Sequence, residues 1–169
     1  MTKQQEDIDQ LISQMAETLR GRFGDDNIQD ALMVGIHSGG VWIAQRLHQL
    51  LGIKQPLGQL DISFYRDDFS RIGMNPQVKP SQLPATVDGC DVILVDDILY
   101  TGRTVRAALN EIFDYGRPAS VSLAVLGERS GRELPIQADV VGQHFQLDAH
   151  EQIKLSGPDN LSLEIVETP

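Results

Sequence analysis

The sequence contains a single cysteine, Cys90, among 169 residues. One cysteine cannot form an intramolecular disulfide or a cysteine-based metal cluster, so we expect a reducing compartment and a fold without such crosslinks. Lysine and arginine are also scarce: 14 of them face 24 aspartates and glutamates, which gives a formal net charge of −10. This balance disfavours non-specific attraction to nucleic acid or to anionic membranes.

Long apolar runs are missing as well. Thr2–Gln10 is polar and acidic, and no apolar run approaches the roughly 20 residues that a membrane span requires. We therefore predict a cytoplasmic protein with no membrane partner. Hydrophobic residues make up 41% of the chain, and neither a repeat nor a long linker divides it. Residues 1–169 are accordingly predicted to form one domain with its own core.

One stretch, Val92–Thr104, carries most of the functional information. Four apolar residues, Val92–Val95, lead directly into Asp96 and Asp97, and a turn of small and hydroxyl-bearing residues follows. This pattern predicts a buried parallel strand that ends at a ligand-facing edge. Thr104 is the expected N-cap of a helix whose apolar residues recur at helical spacing: Val105, Ala108, Leu109 and Ile112. The free N–H groups at the start of this helix favour an anion.

The acidic pair needs partners, because adjacent carboxylates at the end of a buried strand repel each other and lose hydration. A ribose supplies two neighbouring hydroxyl donors, while its 5′-phosphate reaches the turn. We predict that ribose phosphate is bound by Asp96, Asp97, Ile98, Leu99, Tyr100, Thr101, Gly102, Arg103 and Thr104. The alternative is an ordinary strand-to-helix turn with acidic residues at the helix entry. The stretch resembles the phosphoribosyl-diphosphate motif of the type I phosphoribosyltransferases.

A second glycine-rich turn lies between a predicted strand, Ala31–Ile36, and a predicted helix, Val41–Leu51. It consists of His37, Ser38, Gly39 and Gly40. Glycine lets backbone N–H groups approach an anion closely. The substrate implied by the resemblance carries a diphosphate besides its monophosphate, so we assign the diphosphate to this turn. Taken alone, His37 would be an ordinary loop histidine.

Leu57–Phe64 is predicted to be a strand, and the segment Phe69–Gly89 after it is long and weakly periodic, with prolines at 76, 80 and 84. Connections of this length are usually lids or linkers. A flexible lid that excludes water while a diphosphate departs suits the implied chemistry. Arg66, at the base of this segment, is the candidate catalytic counter-charge for the diphosphate, with a solvated surface arginine as the alternative.

The remaining patterns complete an α/β fold. An apolar stripe at Ile8, Leu11, Ile12, Met15 and Leu19 predicts a helix that ends near residues 21–24. After a buried strand at 119–126, a polar loop at 127–135 places Arg129 and Arg132 on the base side, and short strands follow at 138–142, 152–155 and 161–166. We expect a doubly wound, mostly parallel sheet flanked by helices, with a small β hood and the lid loop. This is the type I phosphoribosyltransferase fold.

Further matches narrow the resemblance to the PyrR family, whose members regulate pyrimidine operons and are uracil phosphoribosyltransferases. The matching stretches are 60–68, 92–107, 116–118, 132–136 and 138–139. The resemblance implies that uracil and phosphoribosyl diphosphate react to give UMP and diphosphate, with Mg²⁺ held through the substrate and not by protein ligands. It also implies a homodimer or homotetramer and a UMP-responsive regulatory role with RNA as partner.

Two departures from the family pattern concern charge. Members best known as RNA binders carry Lys-Thr-Arg-Gly where this chain has residues 37–40. At two positions where those members use basic residues to contact RNA, this chain has Gln137 and Gln143. Only Arg132 of that group remains. Because binding to a phosphate backbone is additive in lysine and arginine, the pattern predicts a weakened RNA role beside an intact enzymatic one.

Three alternatives differ in class. A response-regulator receiver also ends a strand with acids, but the order of the acids along this chain is wrong for it, since Asp139 begins a strand. A non-catalytic RNA-binding transcription attenuator fits the family but not the acidic balance. A phosphoribosyltransferase for another nucleobase, a purine or orotate, stays open because base selection relies on backbone groups and a few loop residues.

Overall fold

The computed structural model describes residues 2–62 and 81–169. These residues form eight strands and four helices, in the order β1 (Thr2–Lys3), α1 (Gln5–Phe23), α2 (Asp25–Ile28), β2 (Leu32–Ile36), α3 (Gly39–Leu51), β3 (Gly58–Leu60), β4 (Asp91–Leu99), α4 (Arg103–Phe113), β5 (Ser120–Arg129), β6 (Val140–Phe145), β7 (Glu151–Ser156) and β8 (Ser162–Glu167). None of these helices combines the length and the apolar character needed to span a membrane.

Five strands form a parallel sheet in the order β3-β2-β4-β5-β6. The chain leaves β2 toward β3 at one edge and then returns to β4 on the other side of β2. The order of the strands therefore reverses between β2 and β4, and ligands of such sheets bind outside the carboxyl ends of the strands at this switch point. The predicted doubly wound parallel sheet is confirmed.

Both faces of the sheet are covered, which explains the uninterrupted apolar run of β4. Val92 and Leu94 belong to the hydrophobic cluster that contains the apolar residues of α4. Ile93 and Val95 belong to the opposite cluster, with the apolar residues of α1 and α3. All four side chains are fully buried, and burial of each contributes about 1.5–3 kcal/mol. The core thus holds β4, and with it the acidic pair, in a fixed position.

The predicted β hood is a separate three-stranded antiparallel sheet in the order β1-β8-β7. It is joined to the helices on one face of the main sheet, because Leu161 and Leu163 enter the same cluster as α1 and α3. Arg46 of α3 adds a polar connection by donating to the carbonyl oxygen of Pro158 at 3.0 Å. The two-residue strand β1 has no periodicity, so the sequence pattern did not predict it.

Several predicted boundaries shift. The predicted strand at 57–64 is the shorter β3, and its residues 63 and 64 lie outside the described part of the chain. The loop predicted to begin at Gly127 begins later, because β5 continues to Arg129. Pairing with β6 causes this extension: Gly127, Glu128 and Arg129 lie opposite residues 143–145.

The predicted lid falls mostly outside the described residues, as does Arg66. Its last part, residues 81–89, is attached to the domain. Gln82 and Gln59 exchange two backbone hydrogen bonds of 2.8 and 2.9 Å, while buried Val87 donates its N–H to the carbonyl of Tyr115 at 3.2 Å. Residues 81–89 are thus hydrogen-bonded to the domain in this structure, and the lid itself stays a prediction.

Candidate active site

Asp96 and Asp97 lie at the carboxyl end of β4, beside the switch point of the sheet. Asp96 is 4% exposed and Asp97 is half-buried. The N–H of Asp97 donates to Asp96 Oδ1 and the N–H of Ile98 donates to Asp97 Oδ1, both at 2.8 Å. The strand does not end before the acids, as predicted, but includes them and continues to Leu99. An ionised carboxylate accepts several hydrogen bonds, so these backbone donors leave room at Asp97 for hydroxyl groups of a ligand.

The glycine-rich turn at residues 37–40 is in direct contact with the acidic pair. Helix α3 begins at Gly39, two residues before the predicted Val41, and the peptide bond between His37 and Ser38 is cis. A Cβ on Gly39 would overlap the carboxylate of Asp97, and one on Gly40 would lie 2.6 Å from the carbonyl oxygen of Val95. Glycine is required for this close approach, so the N-terminus of α3 adjoins the acids.

His37 and Ser38, both predicted to bind diphosphate, differ in their surroundings. His37 Nε2 lies 2.8 Å from Gln59 Oε1, and the backbone N–H of His37 donates to the carbonyl of Leu60 at 2.8 Å. The imidazole is thereby anchored to the edge strand β3, whereas Ser38 is exposed at the entrance to α3. Gln59 was not predicted as part of the site, because only the pairing of β3 with β2 brings it there.

The turn at residues 100–104 leads into α4, which begins two residues before the prediction. The helix starts at Arg103, and the N-cap position is Gly102 with φ 95°, so Thr104 is not the N-cap. Glycine adopts this left-handed conformation without steric cost. Thr101 Oγ1 accepts the N–H of Arg103 at 3.1 Å, and Thr104 lies in the first turn, whose N–H groups lack intrahelical acceptors.

A recess of about 120 Å³ opens at this positive helix end, lined by Asp96, Ile98, Leu99, Tyr100, Thr101, Gly102, Thr104 and Val105. It adjoins the acidic pair and suits a phosphate in both size and electrostatics. The structure thus brings together the acids and the predicted ribose-phosphate residues.

The segment 132–136 supports the 100–104 turn from behind. The carbonyl of Thr101 accepts the N–H groups of Glu133 and Leu134 at 3.0 and 3.1 Å, and Arg103 Nε pairs with Glu133 Oε1 at 3.0 Å. Arg132 donates to the carbonyl of Tyr100, to that of Ile136 and to the carboxylate of Glu128. Arg132 was predicted on the base side, but its guanidinium is engaged in these internal contacts.

Arg129, the other predicted base-side residue, lines the site. It is 6% exposed, and its guanidinium carbon lies 4.0 Å from the centroid of the Tyr100 ring. A cavity of about 290 Å³ above the acids is lined by Asp96, Asp97, Ile98, Tyr100, Thr104, Arg129, Gln152 and Ile153. Gln152 and Ile153 come from β7 of the hood and were not predicted as site residues. The sequence pattern around them predicted a strand, but it did not indicate that this strand faces the cavity.

Comparison with known proteins agrees with this fold. The model of the phosphoribosyl transferase domain family matches residues 1–155. A bifunctional protein PyrR of Nitrosococcus oceani is 61% identical over 160 residues, which cover 94% of this chain and 90% of that protein. The bifunctional protein PyrR of Pseudomonas paraeruginosa is 54% identical over 155 residues, covering 92% and 91% of the two chains.

Solved structures show the same fold at low sequence identity. A hypoxanthine phosphoribosyl transferase of Trypanosoma cruzi superimposes with a TM-score of 0.67 at 20% identity, covering 88% of this chain and 78% of the other. A purine phosphoribosyltransferase of Pyrococcus horikoshii gives 0.63 at 24% identity, covering 82% and 83%. With the acidic pair between two glycine-bearing helix starts, these matches lead to one conclusion: the chain belongs to the PyrR family and is a phosphoribosyltransferase, an enzyme of the pentosyltransferase class.

Proposed function

We propose that this protein forms UMP and diphosphate from uracil and phosphoribosyl diphosphate. One observation carries the proposal: the carboxylates of Asp96 and Asp97 lie between two helix N-termini, at Gly39 and Arg103. Phosphoribosyl diphosphate has a matching layout, with vicinal hydroxyls on a ribose that carries a monophosphate at one end and a diphosphate at the other. Each helix start offers N–H donors to an anion, and the acids offer acceptors to hydroxyls.

In this arrangement the ribose hydroxyls donate to Asp96 and Asp97, while the 5′-phosphate occupies the 100–104 turn. The diphosphate lies at residues 37–40, with Arg66 as its further counter-charge. A ring nitrogen of uracil attacks the anomeric carbon of the ribose, and the bond from that carbon to the diphosphate oxygen breaks. Positive charge develops on the ribose beside the two carboxylates. Positioning and electrostatic stabilisation account for the catalysis, and no covalent nucleophile is needed.

The residues present fit an Mg²⁺ ion that is held through the substrate. Mg²⁺ is commonly bound by one or two carboxylates together with substrate phosphates. When bound with the diphosphate, the ion neutralises charge on the leaving group. The part of this chain is to orient the sugar with Asp96 and Asp97 and to hold the phosphates at the two helix starts.

A nucleobase panel tests the proposed reaction. Purified protein is incubated with phosphoribosyl diphosphate, Mg²⁺ and uracil, cytosine, orotate, hypoxanthine or guanine, and nucleotide formation is followed by chromatography. We expect UMP as the main product and its loss when EDTA removes the metal. A purine nucleotide or orotidine monophosphate as the main product would favour the alternative base specificity. No nucleotide with any base would favour the non-catalytic attenuator.

Substitution of Arg66 tests its assignment to the diphosphate. We expect Arg66→Ala to weaken phosphoribosyl diphosphate binding about tenfold, because an ion-paired hydrogen bond to a phosphate is lost. UMP, which has no diphosphate, should bind nearly as before. Isothermal titration with both ligands measures the difference, and Lys54→Ala is the control because Lys54 is an exposed cation paired with Asp30 at 3.5 Å. Equal weakening for the two ligands would remove Arg66 from the diphosphate site.

The regulatory role is proposed to be weak in this protein. Gln137 is exposed and Gln143 is half-buried, so neither adds a positive charge where RNA-binding members are basic. Arg132 remains, but its guanidinium is engaged by Glu128, Tyr100 and Ile136. With a net charge of −10, the molecule provides no long-range attraction for RNA.

Gel-shift titration with the leader RNA of the organism's own pyrimidine genes, with and without UMP, measures this role. We expect a dissociation constant well above the micromolar range at physiological salt. The double variant with Gln137→Lys and Gln143→Lys should bind RNA more tightly. The slope of the logarithm of its binding constant against the logarithm of the salt concentration should become steeper by about two. Sub-micromolar, UMP-dependent binding by the unchanged protein would show that another surface binds RNA.

The expected homodimer or homotetramer is testable in the same preparation by light scattering.

A further inference from the structure

Arg129 is a buried cation that backbone carbonyls and an aromatic ring hold in place. Within the described residues no carboxylate lies within ion-pair distance of it, although a buried charge normally requires such a partner. Its guanidinium donates instead to the backbone carbonyls of Ser130 at 3.4 Å, Glu151 at 2.7 Å and Asp148 at 3.5 Å. The face of the Tyr100 ring supplies a further attraction at 4.0 Å. Arg129 is therefore held by groups from three separate parts of the chain.

One of these parts is the start of the 100–104 turn. Tyr100 contacts the short segment 129–132 on one side: Arg129 covers one face of its ring, and the backbone of Gly131 lies against the ring edge. A Cβ on Gly131 would overlap the ring, so this position admits no side chain. Arg132 adds a backbone contact by donating to the carbonyl of Tyr100. Tyr100 is thus in direct contact with Arg129, Gly131 and Arg132.

The other part is the connection from β6 to the hood. Glu151 is the first residue of β7, and Asp148 precedes it in the turn. The carbonyls of both accept hydrogen bonds from Arg129. The next residues, Gln152 and Ile153, line the cavity above the acidic pair. Arg129 thereby contacts both the phosphate side and the hood side of one cavity.

We propose that Arg129 is a positioning residue that couples the two sides, so that a sugar phosphate bound at the 100–104 turn strengthens binding of the base beside the hood. This inference rests on the proposed function. A planar guanidinium with donors in a fixed arrangement holds two carbonyls and a ring face at once, which a flexible lysine cannot do. Because coupling is reciprocal, a bound base must strengthen binding of the sugar phosphate by the same factor.

Isothermal titration of uracil, with and without saturating ribose 5-phosphate, measures the coupling. For the unchanged protein we expect ribose 5-phosphate to tighten uracil binding about tenfold, within the usual range of coupling between sites. In Arg129→Gln the gain should fall below about twofold while the affinity for ribose 5-phosphate alone changes by less than about threefold. Arg129→Lys, which keeps the charge but not the geometry, should restore only part of the gain.

Arg46→Gln is the matched control. Arg46 also donates to two backbone carbonyls, those of Trp42 and Pro158, both at 3.0 Å, and so attaches the hood to α3. We expect this variant to lower the melting temperature and to keep the full coupling. A coupling that survives in Arg129→Gln, or that disappears equally in Arg46→Gln, would overturn the proposal.

Tyr100→Leu provides a second test of the coupling if Arg129→Gln folds poorly. The Tyr100 side chain is 44% exposed, so its replacement leaves the core intact. We expect this variant to lose the coupling as Arg129→Gln does, and the double variant to lose nothing further, because the two side chains act as one unit. Independent, additive losses would contradict the proposal. Absence of uracil binding to the unchanged protein under both conditions would instead reject the proposed function.

Discussion

Asp97→Asn is expected to lower the rate of UMP formation about 100-fold or more, which corresponds to roughly 2.7–4 kcal/mol of lost transition-state stabilisation. The reason is electrostatic. Asparagine has the shape of aspartate but no charge, so the positive charge that develops on the ribose loses a nearby counter-charge. The carboxylate of Asp97 is fixed by its contact with Gly39 and by the N–H of Ile98 at 2.8 Å. A preorganised group of this kind contributes more than a mobile one, because it needs no reorientation during the reaction.

Asp91→Asn is the matched control for this measurement. Asp91 begins the same strand at its amino end, is exposed, and accepts a hydrogen bond from Ser120 Oγ at 2.7 Å. We expect steady-state rates within about twofold of the unchanged protein, as for most exposed substitutions away from a site. An Asp97→Asn protein that keeps more than half of the original turnover would contradict the assigned role.

Gly39→Ala is expected to abolish most of the activity and to destabilise the fold. The added methyl group would overlap the carboxylate of Asp97, so either α3 or the carboxylate must move. Inserting a methyl group into a packed region costs about 1–3 kcal/mol of the free energy of unfolding. Displacement of the carboxylate adds a loss of turnover of about 100-fold, since small misplacements of catalytic groups have effects of this size.

Gly21→Ala separates this contact from the general effect of replacing a glycine. Gly21 lies within α1, and nothing lies within 4 Å of the position of its Cβ. We expect this variant to raise the free energy of unfolding by about 0.5–1 kcal/mol, because alanine favours the helix over glycine. Chemical denaturation and steady-state assays on both variants give the comparison. A Gly39→Ala protein with unchanged stability and turnover would show that α3 does not adjoin the acids as described.

The centre of the site could be predicted because its signals are local. An apolar strand, two acids, a turn and a helix follow one another within residues 92–112, and each has its own periodicity or composition. The exact helix starts were missed for one shared reason. Thr104 matches the common preference for a hydroxyl residue at the N-cap, and Val41 is the first apolar residue after its turn. Gly102 and Gly39, however, are the residues whose missing Cβ the geometry requires. The glycines themselves were the better signal at both turns.

The hood side could not be predicted in the same way. The polar residues Gly127, Glu128 and Arg129 look like a loop, and only pairing with β6 makes them the end of a strand. Contacts of Arg129 with Tyr100 and Glu151 join residues that are 29 and 22 positions apart. Such contacts depend on the tertiary fold and leave no periodic pattern. The position of Gln152 over the acids depends on the pairing of β7 with β8 for the same reason.

A crystal structure of the protein with UMP tests the assignment of the site most directly. We expect the 5′-phosphate at the N–H groups of the 100–104 turn and the ribose hydroxyls within hydrogen-bond distance of Asp96 and Asp97. The uracil ring should lie in the cavity above the acidic pair, beside Gln152 of the hood. A phosphate bound away from the start of α4, or a ribose that does not contact the acidic pair, would contradict the proposed site.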